Sequence, residues 1–375
     1  MKLFEYQAKA LFQEVGIGIP KSYLLDDASH IEAAIEKTGT PCVLKSQVLK
    51  GGRGKAGLIQ FADGLDAANE KANLLFKSPH HVNRILVEEA IDIHKELYVS
   101  ITVDPVESKV LIMACREGGV DIESIAIHTP DKIIMEKVDI TSGIQPYHCR
   151  NMAYSLGLDG QTAKQVMGMI EKLYHIFKTY DAELVEVNPL FVTKDGHCIA
   201  GDGKISLDDN AMYRQKTFTK TRDYFESDIE YEAAREGIPY IQFDGDISLM
   251  CAGAGLTTTV YDLIHDEGGT VANYLEFGGP NYRKAKEAME LCLSNQSKVI
   301  LIVTFGTIAR ADVMAKGVVE AIKKLQPDRP IITCIRGTNE QEAVKILSDA
   351  GLECIFDTEE AVRKAVAIAE GRALS

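Results

Sequence analysis

The chain opens with MKLFEYQAKALFQEVG, in which Leu3, Leu11, Phe12 and Val15 recur at helical intervals around Glu5 and Glu14. This spacing predicts an amphipathic helix. Up to about Gly237 the pattern is then mixed. Strand-like runs occur at PCVLKSQ, RILVEEA, ELYVSITVD, KVLIMACR and ELVEVNPLFVT, with helical stretches at 66–76 and 161–178. YVSITVDPVESKVLIMA reads as two antiparallel strands around a proline-containing turn, and the charged segment TKTRDYFESDIEYEAAREG as an exposed helix leading into a linker. From Ile238 the rhythm becomes regular. Apolar strands near 247–251, 270–275, 298–304, 330–335 and 352–355 alternate with helical stretches near 255–266, 282–294, 309–325, 338–350 and 358–370. That alternation predicts a doubly wound parallel α/β domain, so the chain divides into a region 1–237 of mixed pattern and a domain 238–375.

Composition narrows the function classes. With 375 residues, 46% hydrophobic and 26% charged, the chain is long enough for two or three ordinary globular cores. A formal net charge of -14 argues against general binding to nucleic acid or to a membrane surface, and leaves small anions held by local cations. No apolar run reaches the roughly 18 residues of a membrane span, and the amino terminus lacks the unbroken apolar stretch of a signal peptide. The eight cysteines are scattered without a CxxC pair, which predicts reduced core thiols and a cytoplasmic protein. They offer no zinc spacing. His148 beside Cys149 does not make a thiol catalyst, because adjacent side chains rarely face each other.

Against that acidic background, KSQVLKGGRGKAG, Lys45 to Gly57, sets four cations among four glycines, and nothing from Lys37 to Ala62 is acidic. Glycines let successive backbone N–H groups approach an anion, and a phosphate chain is the natural ligand. The stretch does not fit the P-loop pattern, and a solvated basic loop would look the same in isolation.

A second cluster lies in ELVEVNPLFVTKDGHCIAGDGKIS. Glu186 and Asn188 share one face of a strand, and the Lys194-Asp195-Gly196 turn predicts a hairpin whose return strand brings Asp202 opposite Asn188. Two oxygen ligands beside a carboxylate suit magnesium, which fills its octahedron with phosphate and water; a surface hairpin with incidental polar residues is the alternative. In the carboxyl-terminal domain, AGAG at 252–255, FGGPN at 277–281 and FGTIA at 305–309 follow three of the strands. Small-residue loops at strand ends, over helix amino termini, are where such sheets collect anionic ligands. No nucleophile elbow or Ser-His-Asp order is visible.

LFEYQAKALF, GGRGKAG, VEEAIDIHKELY, EVNPL and DGK together resemble the β subunit of succinate–CoA ligase over essentially the whole chain. The resemblance implies an ATP-grasp amino-terminal part followed by a flavodoxin-like domain. It implies nucleotide contacts, with ATP or GTP, from Lys45, Gly52, Arg53, Gly54, Glu88 and Glu96, and Mg2+ ligation by Asn188 and Asp202. Glu186 corresponds to the acid that meets a phosphohistidine. That histidine belongs, in the family, to a separate α subunit carrying most of the CoA site, which accounts for the missing nucleophile. The implied reaction joins a small carboxylic acid to CoA through an acyl phosphate, releasing ADP and phosphate.

At the acid-binding end the chain departs from the succinate-using pattern. Those members have Asn before the Gly-Ala-Gly turn, three glycines after the second strand and Gly-Gly-Ile-Val after the third. Here stand Ala252 before Gly253, Ala254 and Gly255, then Gly278-Gly279-Pro280, then Gly306 with Thr307, Ile308 and Ala309. These departures look more like the ATP-citrate lyase branch and imply an acid other than succinate: citrate, malate or another small acid, including a sulfonated one. An unchanged succinate pocket is the alternative. Two other classes share parts of the pattern. A stand-alone ATP-grasp carboxylate–amine ligase would not need the regular α/β domain, and a non-enzymatic nucleotide sensor would not need Glu186 and Asp202.

Overall fold

A computed structural model describes residues 1–372, which fall into two compact units that meet at Lys220 and Thr221.

The first unit begins with α1 (Glu5–Glu14). It continues with β1 (Ser22–Leu25), α2 (Ile31–Thr38), β2 (Cys42–Ser46), β3 (Ile59–Ala62), α3 (Leu65–Phe76) and β4 (Ile85–Glu89). The four strands pair antiparallel in the order β1-β4-β2-β3. Helices α2 and α3 cover one face, where Ala34, Ala68, Ala72 and Leu75 pack on Leu44, Ile85 and Val87. Alternation explains the sheet: inward Cys42 and Leu44 leave Val43 less buried.

A second sheet follows from β5 (Ile93–Asp104), β6 (Lys109–Cys115), α4 (Ile122–His128), β7 (Ile134–Asp139), α5 (Pro146–Ser155) and α6 (Gly160–Thr179). It is completed by β8 (Ala182–Thr193), β9 (Cys198–Ala200) and β10 (Lys204–Leu207). Its order is β10-β8-β5-β6-β7, with β9 also paired to β8, all antiparallel. The expected β5–β6 hairpin is present, closing at Asp104 and Lys109. Val166, Ile170, Leu173 and Phe177 line the buried stripe of α6, a helical repeat that was legible in the sequence.

The expected amino-terminal helix is present but buries charge as well as apolar groups. Ala8, Leu11 and Phe12 are inside together with Glu5 and Lys9, whereas Leu3 precedes the helix and Val15 caps it.

The second unit contains α7 (Asp228–Arg235), β11 (Tyr240–Gln242), β12 (Ile247–Ala252), α8 (Ala254–Asp266), β13 (Val271–Leu275) and α9 (Ala285–Leu293). After these come β14 (Val299–Gly306), α10 (Ala311–Leu325), β15 (Ile331–Gly337), α11 (Glu340–Asp349) and α12 (Thr358–Ala369). The sheet order is β11-β13-β12-β14-β15. Strands β13, β12, β14 and β15 run parallel, and β11 closes one edge antiparallel. Ile300 and Ile302 face a core with α9, α10 and α11, while Val299, Leu301 and Val303 face one with α12. Burial on both faces is why the strands read as continuous apolar runs.

Two expectations are corrected here. The stretch 352–355 is not a strand: Cys354 makes a single bridge to Thr333, because the chain turns at Gly351 (φ 77°) and reaches α12 within a few residues. The charged segment before Ile238 is not merely an exposed helix. Helix α7 buries Ala233 beside Ile238 and Leu275, and Glu230 accepts from the Gln242 backbone N–H at 3.0 Å.

Candidate functional site

In the first unit, six charged side chains converge from α1, strands β2 and β4, the glycine-rich loop and the β9–β10 connection. Lys45, at the end of β2, uses all three ammonium protons: on Glu5 Oε1 at 2.9 Å, Glu88 Oε2 at 2.8 Å and the Gly201 carbonyl at 2.6 Å. Lys9 mirrors it, donating to Glu5 Oε1 at 2.9 Å, Glu88 Oε1 at 2.5 Å and the same carbonyl at 2.8 Å. Arg53 reaches in from the glycine-rich loop, with Nη2 2.6 Å from Glu5 Oε2 and 2.9 Å from Asp202 Oδ2, and Nη1 on the Ser46 carbonyl at 3.1 Å. Three cations thus face three carboxylates.

The electrostatics follow from burial and proximity. Burial alone would raise the Glu5 carboxyl, but Lys45, then Lys9 and Arg53, hold it well below the usual range. Burial would likewise lower Lys45 and Arg53, yet Glu5 first, then Glu88 for Lys45 and Asp202 for Arg53, drives both upward. Asp202 is raised by burial and by Glu5, which together outweigh Arg53.

Around this cluster the glycine-rich loop lies open. A side chain on Gly51, Gly52, Gly54 or Gly57 would meet nothing within 4 Å, and Gly52 and Gly57 have φ of 73° and 72°. Bonds from Ala56 N–H to the Gly52 carbonyl and from Leu58 N–H to the Arg53 carbonyl shape the turn. An open floor of small residues beside a guanidinium is a surface on which a phosphate chain can lie.

The hairpin has the register expected of it. Leu190 pairs with Ala200 and Glu186 with Lys204, so Asp202 falls opposite Asn188. Asn188 Oδ1 accepts from Gly119 N–H at 2.8 Å and its Nδ2 donates to the Val120 carbonyl at 3.0 Å. Glu96 borders the same turn, its Oε2 filling the place a side chain on Gly119 would take. Glu186 faces Ser100 on β5 and Lys204 on β10. Burial raises its carboxyl above the usual range, Lys204 pulling the other way, and burial raises Glu96 too.

Thus Lys45, Arg53, Glu88 and Asp202 meet in one ion-pair cluster, Asn188 and Glu96 meet around Gly119, and Glu186 lies on the strand between. As donors for magnesium, Asn188 and Asp202 offer hard oxygens on one hairpin, and the described residues contain no cluster of three or more acidic, His or Cys side chains that could cage a metal. One amide oxygen and one carboxylate would suit an ion that takes one or two protein oxygens and completes its shell with phosphate and water. Glu5, Lys9 and the Gly118-Gly119 turn escaped sequence reasoning. Their signal was weak: two opposite charges four apart on the face that also carries Ala8 and Phe12.

The second unit places its small-residue loops at the carboxyl ends of β12, β13 and β14. Strands β13 and β14 lie on opposite sides of β12, so the loops 252–255 and 305–309 flank the point where strand order reverses. Gly253, with φ 103°, starts α8 without a side-chain cap, leaving first-turn N–H groups available to an anion; Arg310 starts α10 likewise, but its first helical N–H, that of Ala311, donates to the Thr338 carbonyl at 2.9 Å. Ala254, Gly255, Thr307 and Ile308 are exposed, Ala252 and Ala309 half-buried. The loop after β13 touches the first: a side chain on Gly278 would come within 2.9 Å of Gly253 N. Thr304 ends the buried part of β14 with its hydroxyl inside and unpartnered among the described residues.

Comparison with known proteins agrees with both halves. An ATP-grasp domain model matches residues 2–192 and a CoA-ligase model matches residues 250–368. The chain belongs to the ADP-forming CoA ligases. Within that family it is 60% identical over 373 residues to the ADP-forming sulfoacetate-CoA ligase subunit SauC of Bilophila wadsworthia (strain 3_1_6), covering 100% of each chain. It is 40% identical to the succinate–CoA ligase [ADP-forming] subunit beta of Ignicoccus hospitalis, over 99% of this chain and 100% of that one. The fold resembles ATP citrate lyase from Methanothrix soehngenii in complex with citrate and coenzyme A, with a TM-score of 0.75, 22% identity and 99% of each chain covered. As an ADP-forming CoA ligase, the protein is an acid–thiol ligase whose ATP-grasp part precedes its CoA-ligase part. Among the described residues no helix is long and apolar enough to cross a membrane.

Proposed function

We propose that this chain is the β subunit of a cytoplasmic ligase that joins sulfoacetate to coenzyme A while converting ATP to ADP and phosphate. The observation that carries the reading is full-length identity of 60% with a sulfoacetate-CoA ligase subunit. The departures from the succinate pattern at Ala252, Pro280 and Thr307 to Ala309 support it, since all lie in the loops of the second unit.

In this reading the nucleotide's phosphates lie along the loop containing Gly52, Arg53 and Gly54, beside Lys45 and Glu88, with Glu96 on the neighbouring strand. Arg53 keeps part of its guanidinium fork uncommitted, whereas Lys45 must exchange a partner to reach a phosphate. Magnesium, held by Asn188 and Asp202, would offset the charge of the transferring phosphoryl group. An α subunit supplies the histidine and most of the CoA site. Its imidazole nitrogen takes the terminal phosphoryl group as ADP leaves, and Glu186, its carboxyl raised by burial, stands ready to exchange a proton with that ring. The phosphoryl group then passes to a carboxylate oxygen of the acid. The CoA thiol adds to the acyl carbonyl, and phosphate departs. The uncapped start of α8 would hold an anion of this second half.

Co-expression with an α-type partner, followed by measurement of CoA-dependent ADP release, tests the assignment. Sulfoacetate is expected to give the highest kcat/KM among sulfoacetate, succinate, citrate and malate, and label from ATP is expected on the partner in acid-labile form. A clear preference for succinate overturns the acid. Full turnover by this chain alone, or acid-stable label on it, overturns the subunit role.

A further inference from the structure

Glu5 and Lys9 lie on the first helix, have side chains 2% exposed, and take no part in the reaction proposed above. Glu5 is nonetheless the hub of the charge cluster. One of its oxygens binds Lys9 and Lys45 and the other binds Arg53, so a single carboxylate positions both cations of the proposed phosphate loop. With Glu88 and Asp202 it balances three cations against three anions.

We infer that Glu5 is a positioning residue for the nucleotide site, holding Lys45 and Arg53 in place through a charge-balanced lattice whose third cation is Lys9. The inference rests on the nucleotide binding beside Arg53, as proposed above. Its physical basis is the cost of unpaired buried charge. If Glu5 loses its charge, three buried cations share two carboxylates, and desolvation favours expelling one of them. Lys9 is 2% exposed, Lys45 and Arg53 11% and 12%, so the two cations with a route to solvent are those that leave. The added positive charge therefore does not strengthen phosphate binding; the groups that would contact phosphate lose their position. Removing Lys9 as well restores two cations against two anions and lets both remain.

The test is direct binding of a fluorescent ADP analogue to the purified full-length chain with its α-type partner, with KM for ATP and for the acid measured alongside. Glu5→Gln is expected to raise the nucleotide Kd and KM about tenfold with the acid KM unchanged, and Glu5→Gln/Lys9→Gln to recover most of that loss, the coupling expected of residues in one network. Unchanged or tighter nucleotide binding in Glu5→Gln, or a double variant no better than the single one, overturns the inference. Should Glu5→Gln not fold, Lys9→Gln serves: it leaves an extra carboxylate facing the phosphates, so weaker binding supports the lattice and unchanged binding overturns it. Arg53→Ala separates the two readings. If nucleotide binding falls there but not in Glu5→Gln, only the role of the helix fails. If neither variant alters it, the nucleotide lies elsewhere and the site assignment fails too.

Discussion

Asp202 lies opposite Asn188 on the β8 hairpin, yet the two side chains are held by different parts of the first unit. Asp202 accepts from Arg53 of the glycine-rich loop, and Asn188 from Gly119 of the turn after β6. The hairpin therefore joins the glycine-rich loop to the turn that Glu96 borders.

For that reason Asp202→Asn is expected to raise the magnesium concentration needed for half-maximal activity by about tenfold or more, the scale of losing a metal-site partner. Acid binding should be unaffected, since the change lies in the first unit. Coincident magnesium titrations of mutant and parent would assign Asp202 a purely structural part.

Glu186 carries a testable conflict between stability and function. Its folded carboxyl sits above the usual range because of burial, so between the unfolded value and the folded one the native state binds more protons. Stability contributed by this group is thus lost as pH rises through that window, and the penalty stays constant above it. Glu186→Gln removes the ionisable group. It is expected to abolish ligase activity while raising Tm at pH 7 by roughly 1–3 °C, a gain that disappears as the pH falls through the carboxylate range. Thermal melts across pH check this, and a mutant destabilised at pH 7 would contradict the burial argument.

Gly306 has no room for a side chain: a Cβ there would lie 1.9 Å from the Ala309 carbonyl oxygen. Gly306→Ala must displace the loop containing Thr307, Ile308 and Ala309. The expected outcome is an acid KM raised about tenfold or more with nucleotide KM within about a factor of two, since misplacing a positioning loop weakens the reaction it serves. Equal effects on both substrates would indicate general destabilisation.

Ala252 ends β12 at the position where the succinate-using pattern has Asn. Ala252→Asn is expected to shift the ratio of kcat/KM for succinate over sulfoacetate upward by about tenfold, the scale of one hydrogen bond gained by one acid and not the other. An unchanged ratio would place specificity in the loops after β13 and β14.

The cysteines supply a check on packing. All eight are free; seven are buried and Cys354 is half-buried. Burial pushes Cys198 up to about 11 and Cys149 and Cys292 up to about 12, which leaves little thiolate at neutral pH. In the native protein a maleimide should label no more than Cys354 within minutes, and all eight after denaturation. Rapid native labelling of a second thiol would show that a core opens readily.

Much of this was legible along the chain because it is written in local periodicity. The two-residue alternation of β2 and β8, the stripe on α6 and the strand–helix rhythm after Ile238 follow from side-chain direction alone. The hairpin turn at Lys194 to Gly196 determined the register that sets Asp202 against Asn188. Short elements such as β1, β3 and β11 escaped, because three or four residues carry too little periodicity and their pairing is decided by distant strands. The segment 352–355 had the apolar character of a strand but room for only one bridge. What only the tertiary structure decided is how the charges are spent. Lys45 looked like a phosphate ligand in a basic loop, yet its three protons are already taken by Glu5, Glu88 and the Gly201 carbonyl, which lie 40, 43 and 156 residues away in sequence. Ion pairing depends on distance in space, and no local pattern encodes which of 55 acidic residues will meet which of 41 basic ones once the sheets have closed.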